Sequence, residues 1–178
     1  MSKIEVNYTD YWKETLDVLS DEGALLVSVN ENNKPNAMTI GWATLGWIWG
    51  KPILTVFVRP SRYTFGLIDR AGDFTVNVLP REMEDIAAFC GKVSGRDCDK
   101  FAEQGLIAVP SQYVKSPTIE QAVVSYECLV VHRNNVLQEE LTPEVKARAY
   151  PQGDYHRIYF GDILGTYASA DARERLTR

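Results

Sequence analysis

Several short segments of this chain carry residue types able to hold a small molecule. In Asn36-Ala37-Met38-Thr39-Ile40-Gly41-Trp42, amide, hydroxyl and glycine groups come close together. Such a loop feeds donors and backbone groups toward a planar ring that needs in-plane partners; it would serve equally as a strand start with an ordinary bulge. Arg59-Pro60-Ser61-Arg62-Tyr63-Thr64 stops a strand and offers a hydroxyl flanked by arginines. A helix start exposes unsatisfied N–H groups and partial positive charge, which suits a phosphate, and Arg62 adds a bidentate contact. A plain N-cap with surface arginines has the same pattern. Asn77 is polar inside the apolar run Phe74-Thr75-Val76-Asn77-Val78-Leu79, so if buried it needs partners, from a ligand edge or from neighbouring backbone. Ser94, Gly95 and Lys100 belong to a glycine- and cation-rich stretch, residues 90–101, able to wrap an anion or to form a solvated loop. His156 opens a strand, where it can donate to a ligand or titrate near neutrality, or else sit idle at the surface.

The elements that must position these residues follow from periodicity. Residues 10–19 place Tyr11, Trp12, Leu16 and Leu19 at helical spacing. Residues 24–29 read as a strand, and residues 37–49 as strands bent or bulged at Gly41 and Gly46. A strong strand at 53–58 leads into a helix at 62–70 with Ser61 as N-cap. A strand at 74–79 alternates Phe74, Val76 and Val78 against Thr75, Asn77 and Leu79. Short helices are expected at 82–89 and 99–104, long strands at 122–132 and 157–167, and a solvated tail at 171–178. Many strands with a few short helices predict a mainly β barrel in a single domain. The strands do not alternate with long helices, so a doubly wound sheet fits poorly.

Composition and missing motifs narrow the function. The net charge of −5 and the absence of a Lys/Arg run argue against a nucleic-acid binder. The beginning of the chain is polar, and no stretch of about 18 apolar residues exists, so neither a signal peptide nor a membrane helix is expected. Cys90, Cys98 and Cys128 lack CxxC spacing and are expected as buried small residues in a cytoplasmic protein, not as disulfides, nucleophiles or zinc ligands. No GxGxxG, phosphate-loop GxxxxGK[ST], HExxH or GxSxG motif occurs. With His132 and His156 the only histidines, no multi-histidine metal centre is expected.

Taken together, the blocks NAMTIGWATLGWIWGKP, ILTVFVRPSRYTFGLI, DFTVNVLP, CGKVSGRDCDKF and YHRIYFGDIL, in that order, resemble the flavin reductase-like family, and within it the flavoredoxin-type proteins. The resemblance spans residues 36–164. It implies a split β-barrel that binds flavin mononucleotide (FMN) and assembles as a homodimer, and the crowding of Trp42, Trp47 and Trp49 suggests an exposed apolar surface that agrees. It implies that Asn36, Met38, Thr39 and Trp42, with the intervening Ile40 and Gly41, lie beside the isoalloxazine or ribityl chain. Ser61, Arg62, Tyr63 and Thr64 would lie near the phosphate. Asn77, Ser94, Gly95 and Lys100 would complete the pocket, with His156 near the exposed ring face. Lys92 carries no assignment, and residues 136–155 match no motif and are expected to shape partner or substrate access. The implied activity is electron transfer from NAD(P)H or a redox partner through FMN to free flavin or a redox protein. An FMN electron carrier, or a flavin- or haem-binding module without NAD(P)H turnover, is the alternative.

Overall fold

The computed structural model describes residues 3–177. Strands β1 (Lys3–Glu5), β2 (Ala24–Val29), β3 (Pro35–Ile40), β4 (Ala43–Ile48), β5 (Lys51–Val58), β6 (Asp73–Val78), β7 (Ala108–Val109), β8 (Thr118–Ile119), β9 (Val124–Asn135) and β10 (Arg157–Ser169) carry the fold. Short helices connect them: α1 (Trp12–Ser20), α2 (Tyr63–Ala71), α3 (Glu84–Lys92), α4 (Lys100–Glu103), α5 (Pro143–Ala149) and α6 (Ala172–Leu176). The main sheet has eight strands in the order β3-β2-β6-β9-β10-β5-β4, with β1 added beside β10, and β7 and β8 form a separate ribbon. Every pairing is antiparallel.

The edge strands explain the architecture. β3 and β4 lie at opposite ends of the hydrogen-bonded order, yet only Gly41-Trp42 separates them in the chain. The sheet must therefore curl until its edges meet, and among the described residues the two strands share no ladder. The barrel is split at this seam, which falls within the first segment singled out above.

Side-chain alternation divides the core. Ala24 and Leu26 of β2 and Phe74, Val76 and Val78 of β6 point into the barrel, with Leu54, Val56 and Val58 of β5. Leu25 and Val27 point outward against Ala87 and Cys90 of α3 and Phe101 of α4. Both faces of β2 are thus covered, which is why it reads as an unbroken apolar run. Burying each such Leu or Val contributes about 1.5–3 kcal/mol, and this fixes α3 and α4 beside β3.

The structure corrects several expectations. Gly46 pairs regularly with Ile53 and is no bulge; the chain instead reverses at Trp49-Gly50, whose φ values of 55° and 71° make a hairpin turn. The tail expected to be solvated folds as α6, with Ala172 and Leu176 buried in the barrel core; Arg178 lies outside the described residues. Residues 136–155 contain α5, started by the Thr142 side chain accepting from the Val145 N–H. Cys90 and Cys128 are buried as expected, Cys98 is only half-buried, and all three are free thiols.

Candidate functional site

The seam between β3 and β4 opens into a groove with two compartments that share Met38, Thr39 and Arg62. The upper one lies between β3, the start of α2 and residues 90–96; the lower one runs past Ile40, Gly41 and Trp42 to Phe57, Arg59 and His156. Among the described residues no carboxylate lines either compartment, whereas Arg59, Arg62, Lys92, Arg96 and Lys100 do; Asp97 and Asp99 line the adjoining hollow beyond Gly95 and Arg96. In a chain of net charge −5, the lining of the two compartments is a local reversal of sign suited to an anionic ligand.

The upper compartment is built from interlocked contacts. Asn36 is buried and donates through Nδ2 to the Thr64 Oγ1 at 2.9 Å, tying β3 to the first turn of α2. Thr64 accepts that bond, so its own hydroxyl proton stays free for another acceptor. The Thr39 hydroxyl donates to the Ala87 carbonyl, tying β3 to α3. The Lys100 ammonium, 4% exposed, donates to the carbonyls of Ala37 (2.8 Å) and Cys90 (2.7 Å) and pairs with no carboxylate among the described residues. Burial lowers its pKa, and a third N–H remains for a ligand. Gly95 passes so close to Asn36 and Tyr63 that a Cβ there would meet Asn36 Oδ1 at 1.9 Å and Tyr63 Cδ1 at 2.8 Å. Arg96 stacks over the Tyr63 ring at 5.4 Å and donates to the Ser61 carbonyl.

Helix α2 begins one residue later than expected. Arg62 occupies the N-cap position, and no side chain caps the helix. The N–H groups of Tyr63 and Thr64 are therefore open to an external acceptor, whereas that of Phe65 donates to the Arg62 carbonyl at 3.1 Å. The Arg62 guanidinium makes no hydrogen bond or salt bridge with the described residues. Ser61 is not the cap: its N–H and hydroxyl both donate to the Asp154 carboxylate, at 3.2 and 2.6 Å. That spends the Ser61 donors assigned to a phosphate and leaves Arg62, Thr64 and the helix N–H groups for it.

Two further assignments change. Asn77 lies away from the groove: its Nδ2 donates to Thr75, and its Oδ1 accepts from the Ile119 N–H and the Ser125 hydroxyl. It joins β6, β8 and β9. His156 does line the lower compartment, but its ring is buried (8% exposed), with Trp42 at 4.7 Å between centroids. Burial first, and then the Arg59 charge, push its pKa down to about 4. It is neutral between pH 6 and 8, so the expected titration near neutrality does not occur there. The unfolded value is about 6.5, so this histidine's contribution to stability is present above that value and is lost as the pH falls toward about 4. Urea unfolding at pH 7 and pH 5 is expected to show a smaller acid loss in His156→Gln than in the wild type; equal losses would place the effect elsewhere.

Ser94, Gly95, Lys100, Arg62, Tyr63, Thr64 and residues 36–42 thus converge as expected. Sequence reasoning missed Phe57, Arg59 and Arg96 as lining residues. Arg59 and Arg96 were visible as cations within the singled-out segments, whereas Phe57 looked like any strand residue.

The flavin reductase-like domain model matches residues 20–177, and the chain belongs to that family. A protein of Archaeoglobus fulgidus is 35% identical over 131 residues, covering 74% of this chain and 64% of the relative. An NADH-dependent FMN reductase of Streptomyces nodosus subsp. asukaensis is 29% identical over 143 residues, covering 79% and 65%. The chain spans about half to two thirds of the length of the curated relatives it matches. Among solved structures, the flavoredoxin of Desulfovibrio vulgaris (Miyazaki F) superposes with a TM-score of 0.67 at 23% identity, covering 83% of this chain and 69% of that one. That likeness establishes the fold, a split barrel. Among the described residues no helix is long and apolar enough to cross a membrane.

Proposed function

We propose that this chain binds FMN in the seam groove and serves as a flavin-dependent oxidoreductase that takes electrons from NAD(P)H and delivers them to free flavin or a redox protein. The observation that carries the reading is the pair of compartments itself: without a lining carboxylate among the described residues, cationic and hydroxyl-rich in one, aromatic in the other, and sharing Met38, Thr39 and Arg62. The donor set fits an FMN-like ligand. Arg62, the Thr64 hydroxyl and the open N–H groups of α2 suit a phosphate, and Lys100 retains an N–H for an oxygen of the ligand. Trp42 supplies a flat surface at the ring end, with the His156 imidazole packed against it.

Bound FMN would supply the hydride and electron chemistry, and the side chains would bind, orient and shield it. Arg62 and α2 would fix the tail, and β3 would hold Met38 and Thr39 along the middle of the groove. Neutral His156 offers no acid near pH 7, so no proton transfer from it is part of this reading. Anaerobic mixing of the FMN-loaded protein with NADH or NADPH tests the activity. Loss of visible flavin absorbance within seconds is expected with at least one donor; persistence with both would favour an electron carrier loaded by another protein.

A homodimer is part of the same proposal. Trp47 (64% exposed), Trp49 (60%) and Leu129 (44%) leave apolar area on and around the β4–β5 hairpin, whose edge strand β4 has no second ladder partner among the described residues. Light scattering on the FMN-loaded protein at micromolar concentration is expected to give twice the chain mass, and a monomer would contradict this.

A further inference from the structure

The segment joining β9 to β10 is strapped across the lower compartment. Arg59, at the end of β5, donates to the carbonyls of Ala149 (2.9 Å) and Asp154 (3.2 Å), and its guanidinium lies 5.2 Å from the Tyr150 ring. Asp154, at φ 58°, completes the clamp by accepting from Ser61. The strap thereby buries Tyr150 to 4% exposure and sets its phenol oxygen 2.8 Å from His156 Nδ1.

The direction of that hydrogen bond follows from counting partners. Burial raises the Tyr150 pKa, so the phenol carries its proton. The phenol oxygen has no acceptor other than Nδ1 among the described residues. If Nδ1 held the ring hydrogen, a buried O–H would be left without an acceptor, at a cost of about 1–3 kcal/mol. Tyr150 therefore donates to Nδ1, and the imidazole hydrogen sits on Nε2. That nitrogen has no partner among the described residues, and its ring lines the groove beside Trp42.

We propose that Tyr150 is a positioning residue: it locks His156 in the Nε2–H tautomer, so that His156 donates a fixed hydrogen bond to a carbonyl oxygen on a planar heteroaromatic ring held against Trp42. The carbonyl half of this inference rests on the flavin reading of the groove. The shared ligand chemistry is a ring or carboxamide C=O, borne either by the flavin or by the nicotinamide of the donor. The tautomer is a property of the chain alone.

Tyr150→Phe removes only the O–H and keeps the ring against Arg59 and Trp42. Long-range ¹H–¹⁵N spectra of the imidazoles in the flavin-free protein read the tautomer directly, with His132→Gln assigning the second histidine. The wild type is expected to show Nε2–H for His156, and Tyr150→Phe a mixture of tautomers. FMN titration and donor KM then separate the two sources. A loss of about three- to ten-fold, the scale of one neutral hydrogen bond, is expected in FMN affinity alone if the carbonyl is the flavin's, and in donor KM alone if it is the nicotinamide's. An Nδ1–H tautomer in the wild type, an unchanged tautomer in Tyr150→Phe, or a variant that moves neither constant overturns the proposal. A wild type that binds no FMN overturns the carbonyl half together with the flavin reading, and the flavin-free spectra tell that failure apart from failure of the lock.

Discussion

Replacing Arg62 with alanine is expected to weaken FMN binding about 10- to 100-fold, the scale of one hydrogen bond to a charged group, while riboflavin affinity changes little. The guanidinium is shared by both compartments, stands at the uncapped start of α2 and has no hydrogen-bond or salt-bridge partner among the described residues. Its removal therefore breaks nothing within the fold, and the whole effect should appear in binding. Thr64→Ala is a poorer probe, because Thr64 is buried and accepts the Asn36 amide that ties β3 to α2. Isothermal titration with both ligands measures the difference. Equal losses for FMN and riboflavin would move the phosphate away from Arg62.

Gly95→Ala is expected to lower FMN affinity by about ten-fold or more, with a destabilisation of about 1–3 kcal/mol from overpacking. The new methyl would meet Asn36 Oδ1 and Tyr63 Cδ1 well inside contact distance. Asn36 cannot yield without loosening its bond to Thr64, and Tyr63 is held beneath Arg96. The groove wall would shift at the point where β3, α2 and residues 90–96 meet. Gly66→Ala is the control: a Cβ there meets nothing within 4 Å, so it should bind FMN normally and gain stability from better helix propensity. Normal binding by Gly95→Ala in a fluorescence titration would show that this junction does not shape the site.

Much of the groove was legible because its parts are local in sequence. Residues 36–42, 61–64 and 94–100 each place polar or cationic groups within a few positions, and the barrel's seam gathers them. The β2 and β6 strands were legible for a similar reason: strict alternation sends Leu26, Phe74 and Val76 to one core and Leu25 and Val27 to another. What remained hidden depends on partners far along the chain. Ser61 looked like a helix cap until Asp154, 93 residues away, took its donors. Asn77 looked ligand-facing because its partners Ile119 and Ser125 lie on other strands. The protonation of His156 is set by burial beside Trp42 and Tyr150 and by the Arg59 charge, a conjunction no linear pattern announces. In the tail, Ala172 and Leu176 were masked by the charged residues between them.

We propose flavin mononucleotide as the ligand of the cation-lined seam in this acidic split barrel. Equilibrium titration of the purified chain with FMN, followed by flavin fluorescence and visible absorbance, tests it most directly. Saturable binding of one FMN per chain is expected, with the flavin spectrum perturbed by the aromatic end of the groove. An unchanged flavin signal with protein and ligand each at about tens of micromolar, where any dissociation constant in that range or tighter would register, would contradict it.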